Sequence, residues 1–394
     1  MAGGQATQTQ VAAEVAELAR AGGRLGIDTE FVGERRYRAL LCLAQVAVPD
    51  RDGVRTEVLD TLEDFNFAPL AAVLADPAVE IVMHAGRQDV ALLRRKWQTE
   101  ITNLFDTQVA AGFAGLGNQT GYARLLAGAL RIRVPDSASF TRWDHRPLTS
   151  EQLEYARDDV VHLLDLAAEL QRRLQERGRL EWAREECRPL QDSTDERDPE
   201  AVWERLPRIG RLKPRPRAVA REAAAWRERA AAEADRPVGT VLGDASLVEI
   251  AKRQPADRNQ LDEIRGVQGR LSRRHAEDLL GAVRRGKDAP PLPAEEGSFP
   301  IPDGGDDALV ALAQALVRSH SLQAGIAYEL IASRDELTRA VVATRHGLAE
   351  PDVRILRGWR RELVGNELLD LLAGRRALTV DARGRLHVEQ RSAP

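Results

Sequence analysis

Two carboxylates, Asp28 and Glu30, close the apolar run RLGIDTEF at residues 24–31. A strand alternates its side chains with a period of two, so both acids point to one face while Ile27 and Phe31 point to the other. Held that close, the pair repels itself unless a proton or cation lies between, which makes it a natural seat for a hard divalent ion bound through oxygen. A solvated strand end is the plainer reading of the same residues. Asp89 follows His84 by five residues and falls in the first turn of a predicted helix, where an acid either complements the helix dipole or reaches into a site. Tyr155 and Asp159 are spaced i, i+4 and share one helix face, whereas Asp158 lies about 100° around the helix from Asp159.

Apolar or alternating runs at 24–31, 39–48, 56–60 and 79–84 predict the strands that would carry these groups, with helical patterns at 68–74 and 88–95. Three early strands followed by a helix and another strand predict an α/β architecture, a mixed sheet covered by helices. Residues 147–177 read as one long helix, opened by Pro147 and the capping box Thr149 to Gln152. Its core-facing stripe is Leu153, Ala156, Val160, Leu163, Leu164 and Leu166. The polar stretch 187–200 reads as a linker, and the Pro/Gly-rich stretch 289–307 as another. Between and beyond them, 201–288 and 308–376 are helical by pattern and short enough for compact bundles, and 377–394 reads as a tail.

The chain has 394 residues, 43% of them hydrophobic, enough for two to four domains. Its two cysteines, Cys42 and Cys187, cannot build a disulfide framework, which fits a reducing cytoplasm. No run approaches 18 apolar residues and the start lacks an export signal, so neither membrane insertion nor export is expected.

Three segments in order, D-T-E-F at 28–31, H-A-G-R-Q-D at 84–89 and Y-A-R-D-D at 155–159, resemble the exonuclease motifs of the DEDD superfamily. The Y-x-x-x-D spacing of Tyr155 and Asp159 marks its tyrosine subgroup. LFDTQVAAGFAGLGNQTGYARLL (104–126) and SFTRWDHRPLTSEQLEYARDDV (139–160), with its W-x-x-R-P-L, look like ribonuclease D. The chain departs from that family at Tyr37–Leu41, where a proline is usual. The resemblance covers residues 20–177 and implies a ribonuclease-H-like sheet in a domain over 10–186. It also implies a 3′-to-5′ exoribonuclease that releases nucleoside 5′-monophosphates, in the manner of tRNA 3′ processing. On that resemblance Asp28, Glu30, Asp89 and Asp159 hold two divalent cations, and Tyr155 orients or deprotonates the attacking water. Oxygen ligands without a cysteine cluster favour Mg²⁺ or Mn²⁺ over zinc, and no organic cofactor is called for. His84 is either a hydrogen-bonding neighbour of the site or a strand-end histidine. Phe31, His84, Arg35 and Arg36 are candidates to touch the nucleic acid. DNA trimming by the same fold, or a non-catalytic RNA scaffold, are the alternatives.

The formal charge of −4 hides an asymmetry, since residues 201–288 carry 20 Lys or Arg against 13 acids, a net +7, leaving −11 elsewhere. From Arg205 to Arg221 there are seven bases and no acid, and Arg208, Arg211, Lys213 and Arg215 are the candidate phosphate contacts. The segment 236–267, with L-V-E-I-A-K-R-Q-P and L-D-E-I-R-G-V, resembles an HRDC domain, and by analogy 308–376 would be a second, degenerate one. The expected partner is RNA with a free 3′ end, no membrane is expected, and the sequence leaves the oligomeric state open. If the basic module supplies attraction alone, deleting 201–394 should weaken binding of a long RNA more than cleavage of a short one.

Overall fold

The first strands are β1 (Arg24–Val32), β2 (Leu40–Asp50) and β3 (Gly53–Asp60). With β4 (Glu80–Met83) and β5 (Leu104–Asp106) they form one sheet in the order β3-β2-β1-β4-β5. β1 runs antiparallel to β2 and parallel to β4, so the sheet is mixed. This computed structural model describes residues 2–51, 53–134, 142–269, 271–293, 300 and 302–391. Residues 139–141 of the 139–160 segment lie outside the described residues, as do 294–299 and 301 of the second linker and 392–394 of the tail.

The strand period sorts the core into two layers. On one face Leu25 and Ile27 of β1 meet Val15, Ala16 and Ala19 of α1 (Ala2–Gly22), Leu70 and Val73 of α2 (Ala68–Leu74), and Leu92 and Trp97 of α3 (Arg87–Trp97). On the other face lie α4 (Thr107–Ala114), α5 (Tyr122–Ala129), α6 (Ser150–Val161) and α7 (Leu163–Glu176). Gly26 of β1 faces this second layer, and a Cβ there would come to 3.4 Å from both Leu163 and Leu164, so the glycine lets α7 lie close to the sheet.

Several expectations need correction. The long helix over 147–177 is two, broken at His162 (φ −106°, ψ 5°), with the Thr149–Gln152 capping box as read. The break lets α6 lean over the end of β1 while α7 packs along the sheet. α1 extends the domain upstream of residue 10, and Gln8 accepts a hydrogen bond from the Asp60 amide at 2.8 Å. Its alanine-rich, threonine- and glutamine-dotted sequence has too weak a stripe to announce it. The stretch read as a linker from 187 begins later, because α8 (Leu180–Gln191) buries Cys187 and Leu190. Beyond it Asp195 pairs with Arg95 at 2.5 Å, so the connection is tethered to α3. The tail forms a hairpin, β6 (Arg376–Val380) with β7 (Leu386–Gln390), turning through Gly384 at φ 74°.

The two C-terminal regions are both helical but packed differently. α9 (Pro214–Glu233), α10 (Val238–Val241), α11 (Asp244–Arg253), α12 (Arg258–Asp262) and α13 (Arg273–Asp288) close around their own core, with Trp203, Trp226, Leu247, Leu261 and Leu279. α14 (Gly304–Ala324), α15 (Tyr328–Ile331) and α16 (Arg334–Arg345) instead share a continuous core with α4 and α7. Among the described residues no helix is long and apolar enough to cross a membrane.

Candidate active site

The acids come from opposite layers and meet where β1 ends. Asp28 and Glu30 have the parity of Gly26 and so look toward α6 and α7, while Thr29 looks back toward α3. A register shift between Glu30 and Phe31 leaves Cys42 of β2 as the extra residue of a bulge, while β1 stays paired with β2 as far as Val32. Asp89, in the first turn of α3 and only 7% exposed, accepts a hydrogen bond from the Thr29 hydroxyl. Tyr155 and Asp159 project from α6, where the Tyr155 hydroxyl donates to Asp159.

Tyr155 is held in place by a small cluster of its own. Trp143, 2% exposed, lies 6.0 Å from the Tyr155 ring with 32° between planes, and Cys42, Leu43 and Ala156 complete the packing. Arg146 fixes the loop that delivers Trp143, donating to the Trp143 carbonyl at 2.7 Å and pairing with Asp60. The W-x-x-R segment thus works as a support for the tyrosine.

The electrostatics show one shared negative pocket. Burial, then the charges of Asp89, Asp159 and Glu30, hold the Asp28 carboxyl well above the usual range. Burial and the charges of Asp159 and Asp89 push Glu30 up to about 8. Asp89 is raised to about 6 by burial, against the Thr29 hydroxyl, and Asp159 to about 6 by burial, against the Tyr155 hydroxyl. The Tyr155 phenol is pushed up by burial and by Asp159, Glu30 and Asp28, which makes it a donor and not a base. Among the described residues no three His, Cys, Asp or Glu side chains are already closed up as a cage. The donor set nevertheless suits a hard cation, being all oxygen, largely buried and short of positive charge.

The other candidates divide. His84 sits beside the site, its Nδ1 2.9 Å from the Thr107 hydroxyl and its ring 5.5 Å from that of Tyr122, and burial lowers its pKa. Phe31 is 37% exposed at the lip. Arg35 is exposed on the following loop, but Arg36 is not free for substrate, because it pairs with Asp235 of the basic module at 2.8 Å. Arg215 is also occupied, donating to the Lys287 carbonyl at 2.6 Å at the end of α13, which removes it from the phosphate candidates. Arg208, Arg211 and Lys213 remain exposed. Sequence reasoning missed Tyr122, whose buried hydroxyl has no hydrogen-bond partner and whose phenol is raised by burial and by Asp159 and Asp28. It also missed Thr29, Asp106 and Thr107, which no spacing rule singles out.

Comparison with known proteins identifies the family and the fold. Residues 5–175 match the family model described as 3′-5′ exonuclease, a divalent-metal-dependent fold, and residues 217–283 match the HRDC domain. Ribonuclease D of Granulibacter bethesdensis is 38% identical over 368 residues, 91% of this chain and 89% of that protein. Ribonuclease D of Gluconacetobacter diazotrophicus is 38% identical over 95% of this chain and 94% of its own length. Among solved structures, Escherichia coli RNase D, described as an exoribonuclease involved in structured RNA processing, superposes with a TM-score of 0.79. That likeness covers 93% of this chain and 97% of that one at 29% identity. A sheet that gathers buried acids and a tyrosine at one strand end, and relatives alike over nearly the whole length, place this chain in the ribonuclease D family of 3′-to-5′ exoribonucleases.

Proposed function

We propose that this chain trims the 3′ ends of structured RNA, tRNA precursors among them, in the cytoplasm, using Asp28, Glu30, Asp89 and Asp159 to hold two divalent ions, Mg²⁺ or Mn²⁺. The observation that carries this reading is the convergence of four acids from two layers into one pocket with raised pKa values and no basic side chain among the causes. When bound, such ions lower the pKa of the attacking water and stabilise the leaving 3′ oxygen. Tyr155 orients that water through its hydroxyl, since its raised pKa disfavours proton abstraction. Trp143 and Arg146 keep the tyrosine in place, and Phe31 stacks against the terminal base. Arg35, Arg208, Arg211 and Lys213 contact phosphates, giving the +7 module its part in attraction.

The test is a matched pair of single-stranded RNA and DNA, labelled at the 5′ end and incubated with Mg²⁺, Mn²⁺ or EDTA. Stepwise shortening of RNA only with metal supports the reading, whereas preference for DNA or cleavage in EDTA contradicts it. Asp28→Ala and Asp159→Ala should each abolish shortening while the thermal unfolding midpoint stays close to wild type, and substantial turnover by either would refute the ligand assignment.

A further inference from the structure

The segment L-F-D-T-Q at 104–108 holds together two turns that are distant in sequence. Asp106, 1% exposed, caps α4 in the ordinary way, its Oδ1 accepting from the amides of Gln108 at 2.8 Å and Val109 at 3.2 Å. It then accepts two more amides from the turn between β4 and α3, Ala85 at 3.2 Å and Gly86 at 2.8 Å. Thr107, fully buried, extends the tie on both sides, its hydroxyl donating to the Met83 carbonyl at 3.1 Å and lying 2.9 Å from His84 Nδ1. Capping α4 accounts for the first pair of bonds alone. The other contacts all fall on residues 83–86, the turn that launches the helix bearing Asp89 three residues later.

That turn cannot hold its shape unaided. Ala85 adopts φ 57°, a left-handed conformation that a residue with a Cβ rarely takes. Gly86 is the N-cap of α3 without any side-chain cap of its own, and a Cβ there would stand 2.6 Å from Met83 Cβ. The buried Asp106 carboxylate, with four amide donors, supplies the charge-assisted bonds that stabilise this conformation.

We infer that Asp106 and Thr107 are positioning residues for the metal site, fixing the turn that aims Asp89 and thereby setting the site's affinity for divalent cations. This rests on the reading of Asp89 as a metal ligand. Partners of this kind behind a ligand typically change metal affinity by about 10–100-fold when removed. Asp106→Asn keeps an oxygen for the α4 cap but turns an amide toward a backbone N–H. Thr107→Val keeps the shape and loses the hydroxyl, and Thr107→Ser restores it.

The experiment is Mn²⁺ binding to the full chain, followed by the loss of the free-ion electron paramagnetic resonance signal, alongside metal-free thermal unfolding. Asp106→Asn and Thr107→Val should each weaken binding by about tenfold with unfolding midpoints within about 3 °C of wild type, and Thr107→Ser should bind within about twofold of wild type. Asp89→Ala is the control for the underlying reading and should lose Mn²⁺ capacity outright. If Asp89→Ala binds normally, the ligand assignment fails. If Asp89→Ala loses binding while Asp106→Asn and Thr107→Val keep wild-type affinity, or weaken only in proportion to their unfolded fraction, the positioning role is overturned.

Discussion

The basic module and the C-terminal helices are built from similar helical sequence, yet only one of them is a separate body. α9–α13 bury Trp203, Trp226 and Leu247 among themselves and touch the nuclease through polar groups. Those contacts are Arg36 with Asp235 at 2.8 Å, the Tyr37 amide to Asp235 at 3.1 Å and the Tyr37 hydroxyl to Glu228 at 2.9 Å. The C-terminal helices instead complete the core under α4, α7 and α8. Trp359 stacks on Trp182 at 5.3 Å and meets Phe113 edge-on at 5.0 Å, while the Ala327 amide donates to the Gly112 carbonyl at 3.2 Å. Arg360, 5% exposed, reaches Glu186 of α8 at 2.5 Å and the Leu330 carbonyl at 2.7 Å. An apolar stripe declares that a helix will be buried, but what it is buried against decides whether the helix is a passenger or part of the catalytic domain.

This contrast overturns the deletion expected from charge alone. Removing 201–394 strips the layer from Phe113 and Trp182 as well as the +7 module, so cleavage of short and long RNA should fail together. Trp359→Ala isolates the cause. It should cost about 3–5 kcal/mol, and urea unfolding monitored through nuclease activity should shift with it. An unchanged nuclease midpoint would mean that the C-terminal helices melt alone.

The acids give the next largest effect. Their folded pKa values lie above the unfolded ones, so the native state binds more protons between the two values and loses stability as pH rises. In the metal-free chain the loss should begin near the usual carboxylate range and run through about 6 for Asp89 and Asp159 and about 8 for Glu30, with Asp28, also raised, adding to it. Mg²⁺ or Mn²⁺ should therefore raise the melting temperature more at pH 8 than at pH 5. Calorimetry should place that shift in the nuclease transition and leave the α9–α13 transition unmoved, and a uniform shift would blur the distinction between the regions.

The polar dock is weaker. Tyr37→Phe removes the donor at 2.9 Å from Glu228, which is 1% exposed, and should loosen the module by about 1–3 kcal/mol. Faster proteolysis between 192 and 200 with an unchanged nuclease midpoint would show it. Arg36→Ala breaks a half-exposed pair and should cost about 0–1 kcal/mol, vanishing at high salt. A large loss from either in nuclease stability would make the basic module part of the same body after all.

What could be read from the sequence was whatever a period expresses. Asp28 and Glu30 follow from the strand alternation of 24–31, and Tyr155 with Asp159 from one helical turn. Asp89 came from motif order alone. β5, with three residues, is too short to show alternation, and α1 has too little apolar contrast. The tie from Asp106 and Thr107 to the 83–86 turn joins segments about 20 residues apart, and no local pattern encodes such a bond. The sharing of a core by Trp359 and Phe113 spans more than half the chain, so the stripes of α14 and α16 were legible while their partner was not.

Native-state hydrogen exchange on the full chain tests most directly whether the clustered carboxylates Asp28, Glu30, Asp89 and Asp159 sit on a unit that includes the C-terminal helices and excludes the basic module. Amides of α4, α7, α14 and α16 should open together, at one free energy and with one denaturant dependence, while those of α9, α11 and α13 open in a separate step that Tyr37→Phe makes easier without moving the first. Separate opening of α14 and α16 from α4 and α7, or common opening of all of these helices, would contradict it.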